Sequence, residues 1–495
     1  MTKKLKSILI SLCVCVLAVA AYFITEKILE NSSSGPGTST TVKLTNLSSE
    51  NIVSIKVELS DGEYYYITED AKATAAAGST VYKVTFSGIY KGLDYDKTTA
   101  KRLYSYASAL SAQRDMGDVE EEDYDLFGLD TPQSVVTITL VDGSTETIYV
   151  GSTAAGRSGY YCRIDDEELD NVYLISTSVG DSFTKKSNDM RATAVTPESS
   201  LDKIQEITWQ FNDGALISVV KDFESTVFNP FVNYYVVSPW SMAYPVNADI
   251  LGALVEGLPT LTIGEFITPK LDGTEAELAD YGLDDPWGYY KIVSTDGTVQ
   301  EVSFGDFSSE DSKANCYMYD HVHEQIYVVS YANAAFLAKY DEIVTTTPYI
   351  ITASLDNIES VVAEYDGKVV DFVQERYSTG VDDKGNPTYS SVCKLEGIEY
   401  DRYVMGLLYR NAIAMRIQNV YKGYEYEDEP LLTLTFTPYD RDVAARKLVF
   451  YKINENLCAV EVDGNIDFMA SVKDVNDYLK AIQMVKNGET PPYKY

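Results

Sequence analysis

The chain has 495 residues, room for about three domains of ~150 residues each. Its 45% hydrophobic and 12% aromatic content is that of a chain able to bury a core, which argues against disorder. Acidic residues outnumber basic ones 75 to 40, a net charge of −35 that repels nucleic acid and anionic lipid and speaks for a soluble, non-adhesive surface.

In chain order, Lys3, Lys4 and Lys6 precede an uncharged apolar run at residues 8–24. Seventeen residues is near the lower limit of about 17–25 for a spanning helix. Basic residues ahead of it predict a cytoplasmic N-terminus, with everything after the run outside. A cleavable signal peptide with Ala18-Val19-Ala20 at its end is the competing reading. Residues 31–42, rich in Ser, Thr, Gly and Pro, predict a flexible spacer.

Beyond the spacer the chain repeats itself. "FGLDTP" (127–132) returns as "YGLDDP" (281–286), and Gly282 lies 154 positions after Gly128. "VDGSTETIYVG" (141–151) matches "TDGTVQEVSFG" (295–305) at the same offset, and "NVYLIS" (171–176) matches "QIYVVS" (325–330). Val136, Ile138, Ile148 and Val150 fall at the parity of Tyr290, Ile292, Val302 and Phe304, which predicts matching core faces. Opening strands that run into Asp-Gly turns recur at 61–62, 213–214 and 366–367. Amphipathic stretches at 96–110, 247–258, 401–410 and 471–485 predict helices. In the third copy "GYEYEDEPLLTLTF" (423–436) keeps Pro430 and loses Gly-Leu-Asp.

The predicted fold is therefore α+β: an N-terminal transmembrane helix, then three related repeats of mostly antiparallel strands with two helices each. The boundaries are 1–30 for the cytoplasmic N-terminus and anchor, 31–42 for the linker, 43–197, 198–350 and 351–487 for the repeats, the last degenerate, and 488–495 for the tail. "TAVTP" (193–197) and "TTTP" (345–348) mark the seams. The signature residues Gly128, Leu129, Asp130, Pro132, Gly282, Leu283, Asp284 and Pro286 have a structural reading. The glycine permits a turn, the leucine plugs the core, and the proline, which cannot donate to a ladder, belongs at a strand's entry.

This combination of Gly-Leu-Asp-x-Pro, alternating strand, Asp-Gly turn, "YVG" or "SFG" and "VYLIS" or "IYVVS" resembles the bacterial domain-of-unknown-function 4340 family over the first two repeats. The resemblance implies a membrane-anchored extracytoplasmic protein that accompanies ABC-2 type transporter components and gliding-motility-type auxiliary subunits. It carries over no catalytic residues.

Motifs that carry chemistry are few. A P-loop, a G-x-S-x-G elbow and a C-x-x-C pair are all missing. His321 and His323 in "DHVHEQ" (320–325) would share one face of a strand and could face a metal, against the plainer reading of a hairpin turn. The acidic run 118–128 lacks calcium-loop order and reads as a solvated turn. Cys162 and Cys316 read as buried and unpaired in separate repeats, and Cys393 with Cys458 is the one disulfide considered. The expectation is a non-enzyme without cofactor or metal, single-pass in the cytoplasmic membrane. Its expected partners are transporter permease or ATPase components, with no nucleic acid. The alternatives are a cell-wall or carbohydrate-binding surface protein, for which the 40 tyrosines would supply stacking surfaces, and an extracytoplasmic hydrolase.

Overall fold

The structure, a computed structural model, describes residues 42–494 apart from 72–73, 75–78, 91, 166–170, 222–226, 229, 231, 268–277, 383 and 386. The apolar run at 8–24 and the spacer up to residue 41 lie outside the described residues. Among the described residues no helix is long and apolar enough to cross a membrane. The chain divides into two compact units, one ending at Arg191 and one beginning at Ala192.

The first unit is built on one antiparallel sheet. Its strands in chain order are β1 (Ile52–Leu59), β2 (Tyr64–Glu69), β3 (Tyr82–Phe86), β4 (Arg114–Gly117), β5 (Ser134–Leu140), β6 (Thr145–Thr153), β7 (Tyr160–Ile164) and β8 (Val172–Ile175). Across the sheet they run β3-β2-β1-β5-β6-β7-β8-β4. Period-two alternation fixes the faces: Ile55, Val57, Val136, Ile138, Ile148 and Val150 are all fully buried, and Ile55 pairs with Ile138, Val57 with Val136. Helix α1 (Lys97–Ser108) joins β3 to β4 and packs Ala100, Leu103 and Ala107 into the same core. Asp96 caps it, accepting from the Thr99 amide at 2.7 Å. The Asp-Gly hairpins close as the turn chemistry requires, with Gly62 and Gly143 both at φ 88°. A shorter helix, α2 (Thr177–Phe183), follows the last strand.

The second unit holds two nine-stranded sheets. The first contains β9 (Ile204–Phe211), β10 (Ile217–Lys221), β11 (Tyr234–Ser238), β12 (Tyr244–Pro245), β13 (Glu265–Phe266), β14 (Gly288–Ser294), β15 (Val299–Ser309), β16 (Ser312–Asp320) and β17 (Gln325–Ser330), in the order β12-β11-β10-β9-β14-β15-β16-β17-β13. The second contains β18 (Ile358–Tyr365), β19 (Lys368–Val381), β20 (Pro387–Leu395), β21 (Ile398–Tyr400), β22 (Ile417–Val420), β23 (Pro430–Pro438), β24 (Arg446–Lys452), β25 (Leu457–Val462) and β26 (Asn465–Ser471), in the order β21-β20-β19-β18-β23-β24-β25-β26-β22. In all three sheets the first strand lies beside the strand that follows the excursion to the far edge. That excursion runs through a helix: α1 in the first sheet, α3 (Ala248–Glu256) in the second, α4 (Arg402–Ile413) in the third. The C-terminal helix α5 (Val472–Lys486) buries Val475, Tyr478, Ile482 and Val485.

The two sheets of the second unit share one continuous hydrophobic core. The "TTTP" stretch sits inside it, with Thr345, Thr346 and Thr347 all buried. Its backbone is spoken for: the Asn247 amide donates to Thr345 O at 2.8 Å, and the Ile417 amide to Pro348 O at 2.9 Å. The Trp240 indole N–H donates to Thr346 Oγ1 at 2.7 Å. A second tie runs through Asp467 on β26, whose carboxylate accepts from the Ser241 amide, the Ser241 hydroxyl at 2.8 Å and the Tyr244 hydroxyl at 3.2 Å.

Candidate functional site

The Gly-Leu-Asp-x-Pro residues form the same small device twice. Residues Glu121–Phe127 make a 3-10 helix whose acidic first turn faces the positive end of the helix dipole. It ends in a Schellman cap: Gly128, at φ 65°, donates to Asp125 O at 3.1 Å and Leu129 donates to Tyr124 O at 2.9 Å. At the second copy Gly282, at φ 64°, donates to Ala279 O at 3.2 Å and Leu283 to Leu278 O at 2.9 Å. Leu129 and Leu283 are buried, while Asp130 and Asp284 are exposed. Pro132 and Pro286 each precede a strand by two residues.

Each corner lies flat on a neighbouring strand, and this explains a second pair of glycines. A Cβ on Gly151 would fall on the Phe127 carbonyl oxygen, and one on Gly305 on the Tyr281 carbonyl oxygen. The next residue of each motif finishes the cover, Gln133 Nε2 donating to Gly151 O at 3.0 Å and Trp287 Nε1 to Gly305 O at 2.5 Å. The third sheet has no such corner. Pro430 opens β23, and Tyr451 occupies the place of the covered glycine, next to Phe450 in the register that Val150 and Phe304 hold in theirs.

Cys162 and Cys316 lie 154 positions apart, the offset of the repeat, yet register does not make them equivalent. Val150 pairs with Cys162, whereas Phe304 pairs with Met318, so Cys162 answers to Met318 and Cys316 sits two residues earlier on its strand. The ring pairs agree: Phe127 meets Tyr161 and Tyr281 meets Tyr317, both at 4.9 Å. Cys162 and Cys316 lie in separate cores. The Cys393–Cys458 disulfide does not form. Both are free and buried, on strands with four others between them, about 24 Å apart at ~4.8 Å per strand. Burial pushes the Cys316 and Cys458 thiols up to about 12, which leaves them inert.

The histidines do not share a strand face. β16 ends at Asp320, and residues 321–324 form a turn. Asp320 accepts from the Val322 and His323 amides and lies 2.8 Å from His323 Nδ1, organising that turn. His321 instead places Nε2 2.7 Å from Ser303 Oγ, a serine–histidine contact that sequence reasoning missed because 18 residues separate the partners. Ser303 is 4% exposed, and the neighbouring Glu301 carboxylate accepts from the Tyr289 hydroxyl at 3.0 Å. The pair ties β15 to the turn and presents no open nucleophile. Among the described residues no group of three or more His, Cys, Asp or Glu is placed to hold a metal.

Two surface features have a geometry suited to binding. Around the missing third corner, Tyr421, Tyr424, Tyr426 and Tyr451 cluster: Tyr426 lies 4.9 Å from Tyr451, and Tyr421 lies 6.3–6.4 Å from Tyr426 and Tyr424. Tyr424 and Tyr426 are exposed, among Glu425, Glu427 and Asp428. The other feature is a cleft of about 1080 Å³ in the second unit, floored by α4 and walled by the 347–356 segment and the tail residues Tyr493 and Lys494. Asn411 Nδ2 holds the tail by donating to Pro492 O at 2.9 Å. No local motif announces this cleft, because its walls come from four distant stretches of chain.

The same family model, described as "Domain of unknown function (DUF4340)", matches twice in tandem, over residues 90–231 and 238–404, well over half of the chain. The chain belongs to that family. Both DUF4340 matches begin ahead of a crossover helix, α1 or α3, and run past the opening strands of the next sheet, so the family's frame is out of phase with the sheets. No curated protein matches the chain.

Proposed function

We propose that this DUF4340 protein is a non-enzymatic scaffold, anchored by residues 8–24 and working outside the cytoplasmic membrane beside an ABC-2 or gliding-motility-type transport complex. The observation that carries the reading is the strand order that eight strands of each sheet share, the second and third sheets adding one edge strand, β12 or β21. It supports three tandem copies of one module, at 43–197, 198–350 and 351–487, the third having lost its corner. Repeated modules offer a long surface, which suits a large partner better than enclosure of a small substrate. The basic residues ahead of the apolar run supply the orientation.

Three experiments test it. External protease on protoplasts should degrade the body of the chain, and full protection would refute the topology. Affinity capture of the tagged full-length protein from detergent-solubilised membranes should recover a permease and an ATPase. A soluble secreted form that fully restores a deletion strain would overturn the anchored-scaffold reading. The second reading, carbohydrate binding, is favoured by the cluster of Tyr421, Tyr424, Tyr426 and Tyr451, whose rings can stack on sugars while nearby carboxylates accept from hydroxyls. Retardation of the protein in polysaccharide gels, lost in Tyr424→Ala with Tyr426→Ala, would move that reading ahead.

A further inference from the structure

The cations that line the α4 cleft stand in two different states. Four basic side chains line it: Arg402, Arg410, Arg416 and Lys494. Two are neutralised within the fold, Arg402 by Asp356 at 2.7 Å and Lys494 by Asp477 at 3.0 Å and Asp474 at 3.6 Å. The other two are held by tyrosines instead. Arg410 sits over the Tyr493 ring at 4.7 Å and donates to its hydroxyl. Arg416 sits 5.2 Å from the Tyr349 ring and donates to its hydroxyl at 3.3 Å. Among the described residues neither has a carboxylate within ion-pair distance, in a chain with 75 acidic residues to 40 basic ones.

A tyrosine orients a guanidinium without cancelling its charge. Each of these arginines therefore keeps its charge and most of its five N–H donors, aimed by a ring whose own position is fixed. Tyr349 is locked by the backbone bridge to Arg416, and Tyr493 by the tail's anchorage on Asn411. A donor fork that is already ordered loses less entropy when it captures an anion. The floor between them is apolar, with Leu407 and Ile413 beside Gly406. At Gly406 an added Cβ would meet nothing nearer than Leu355 Cδ2 at 4.0 Å.

We propose that this cleft binds an anionic organic ligand, its carboxylate or phosphate taken by Arg410 and Arg416 and its body lying on the α4 floor. The cavity volume, just above the ~300–1,000 Å³ usual for ligand sites, fits an extended molecule with more than one charged group. The proposal goes beyond the scaffold reading and stands whether or not a transporter is the partner.

The test is calorimetric titration of the full-length protein in mild detergent with citrate and, separately, inorganic pyrophosphate. One-to-one saturable binding is expected, tightening as salt is lowered. Pyrophosphate alone would identify phosphate as the ligand's charged group, citrate alone carboxylate, and both a shared anion site. R410Q and R416Q should each weaken binding on the order of tenfold, and the double variant should abolish it. Gly406→Phe, which fills the floor, should abolish it with both arginines intact, and R114Q on β4 of the first unit should change nothing. If neither probe binds saturably at millimolar concentration the proposal is overturned, as it is if R410Q/R416Q binds equally well.

Discussion

Gly151 and Gly305 are glycines because a carbonyl of the overlying corner takes the space a side chain needs, whereas Gly406 has open room. Alanine should therefore act in opposite directions. At 151 or 305 it should lower the unfolding free energy by about 1–3 kcal/mol, the usual cost of overpacking. At 406, inside a helix, it should raise it by up to about 1 kcal/mol. Urea unfolding of the three variants decides, and effects of one sign would contradict the geometry. His321 offers a test by pH. Burial pulls its pKa below the ordinary 6.5, with Glu301 and Asp320 opposing. A histidine kept neutral by the fold binds fewer protons than in the unfolded chain, so its stabilisation is complete above about pH 6.5 and is lost as the pH falls below that. Between about pH 7 and pH 5 the native protein should thus lose more stability than His321→Gln; parallel curves would remove His321 from the account.

Helices α1, α3, α4 and α5 were legible in sequence because a 3.6-residue apolar period and a capping side chain announce each: Asp96, Asn247, Asp401 and Ser471. The central strands were legible by alternation. The edge strand β4, "RDMG", was not, since none of its residues is buried and its place depends wholly on the partner β8. The tie at Asp467 was also invisible, its donors Ser241 and Tyr244 lying more than 220 positions away. Asp467→Ala should cost about 2–4 kcal/mol, because it strands the buried Tyr244 hydroxyl and the Ser241 amide, and Asp467→Asn less. Denaturant midpoints check the order, and an alanine variant as stable as the parent would show the tie to be idle. Ser303 with His321, and the arginines of the α4 cleft, stayed hidden for the same reason: long-range contacts leave no spacing to read.

Of the two compact units, the first carries its own hydrophobic core around α1. Residues 42–191 expressed alone should fold cooperatively, with a sigmoidal denaturant transition and dispersed amide resonances; a molten product would mean the core is incomplete. The sheets of residues 192–495 share a core, so cutting between them, within the buried "TTTP" stretch, should yield insoluble halves. The corner has a consequence for redesign as well. A backbone corner and the glycine beneath it are useful only together: a side chain under an existing corner clashes, and a bare glycine without one leaves the strand unfilled. The third sheet has Tyr451 where the others keep glycine, so building a corner there would require two simultaneous changes, each harmful by itself. Corner and glycine thus work as a latch whose two halves come or go together, and no single substitution carries the arrangement of one sheet into another.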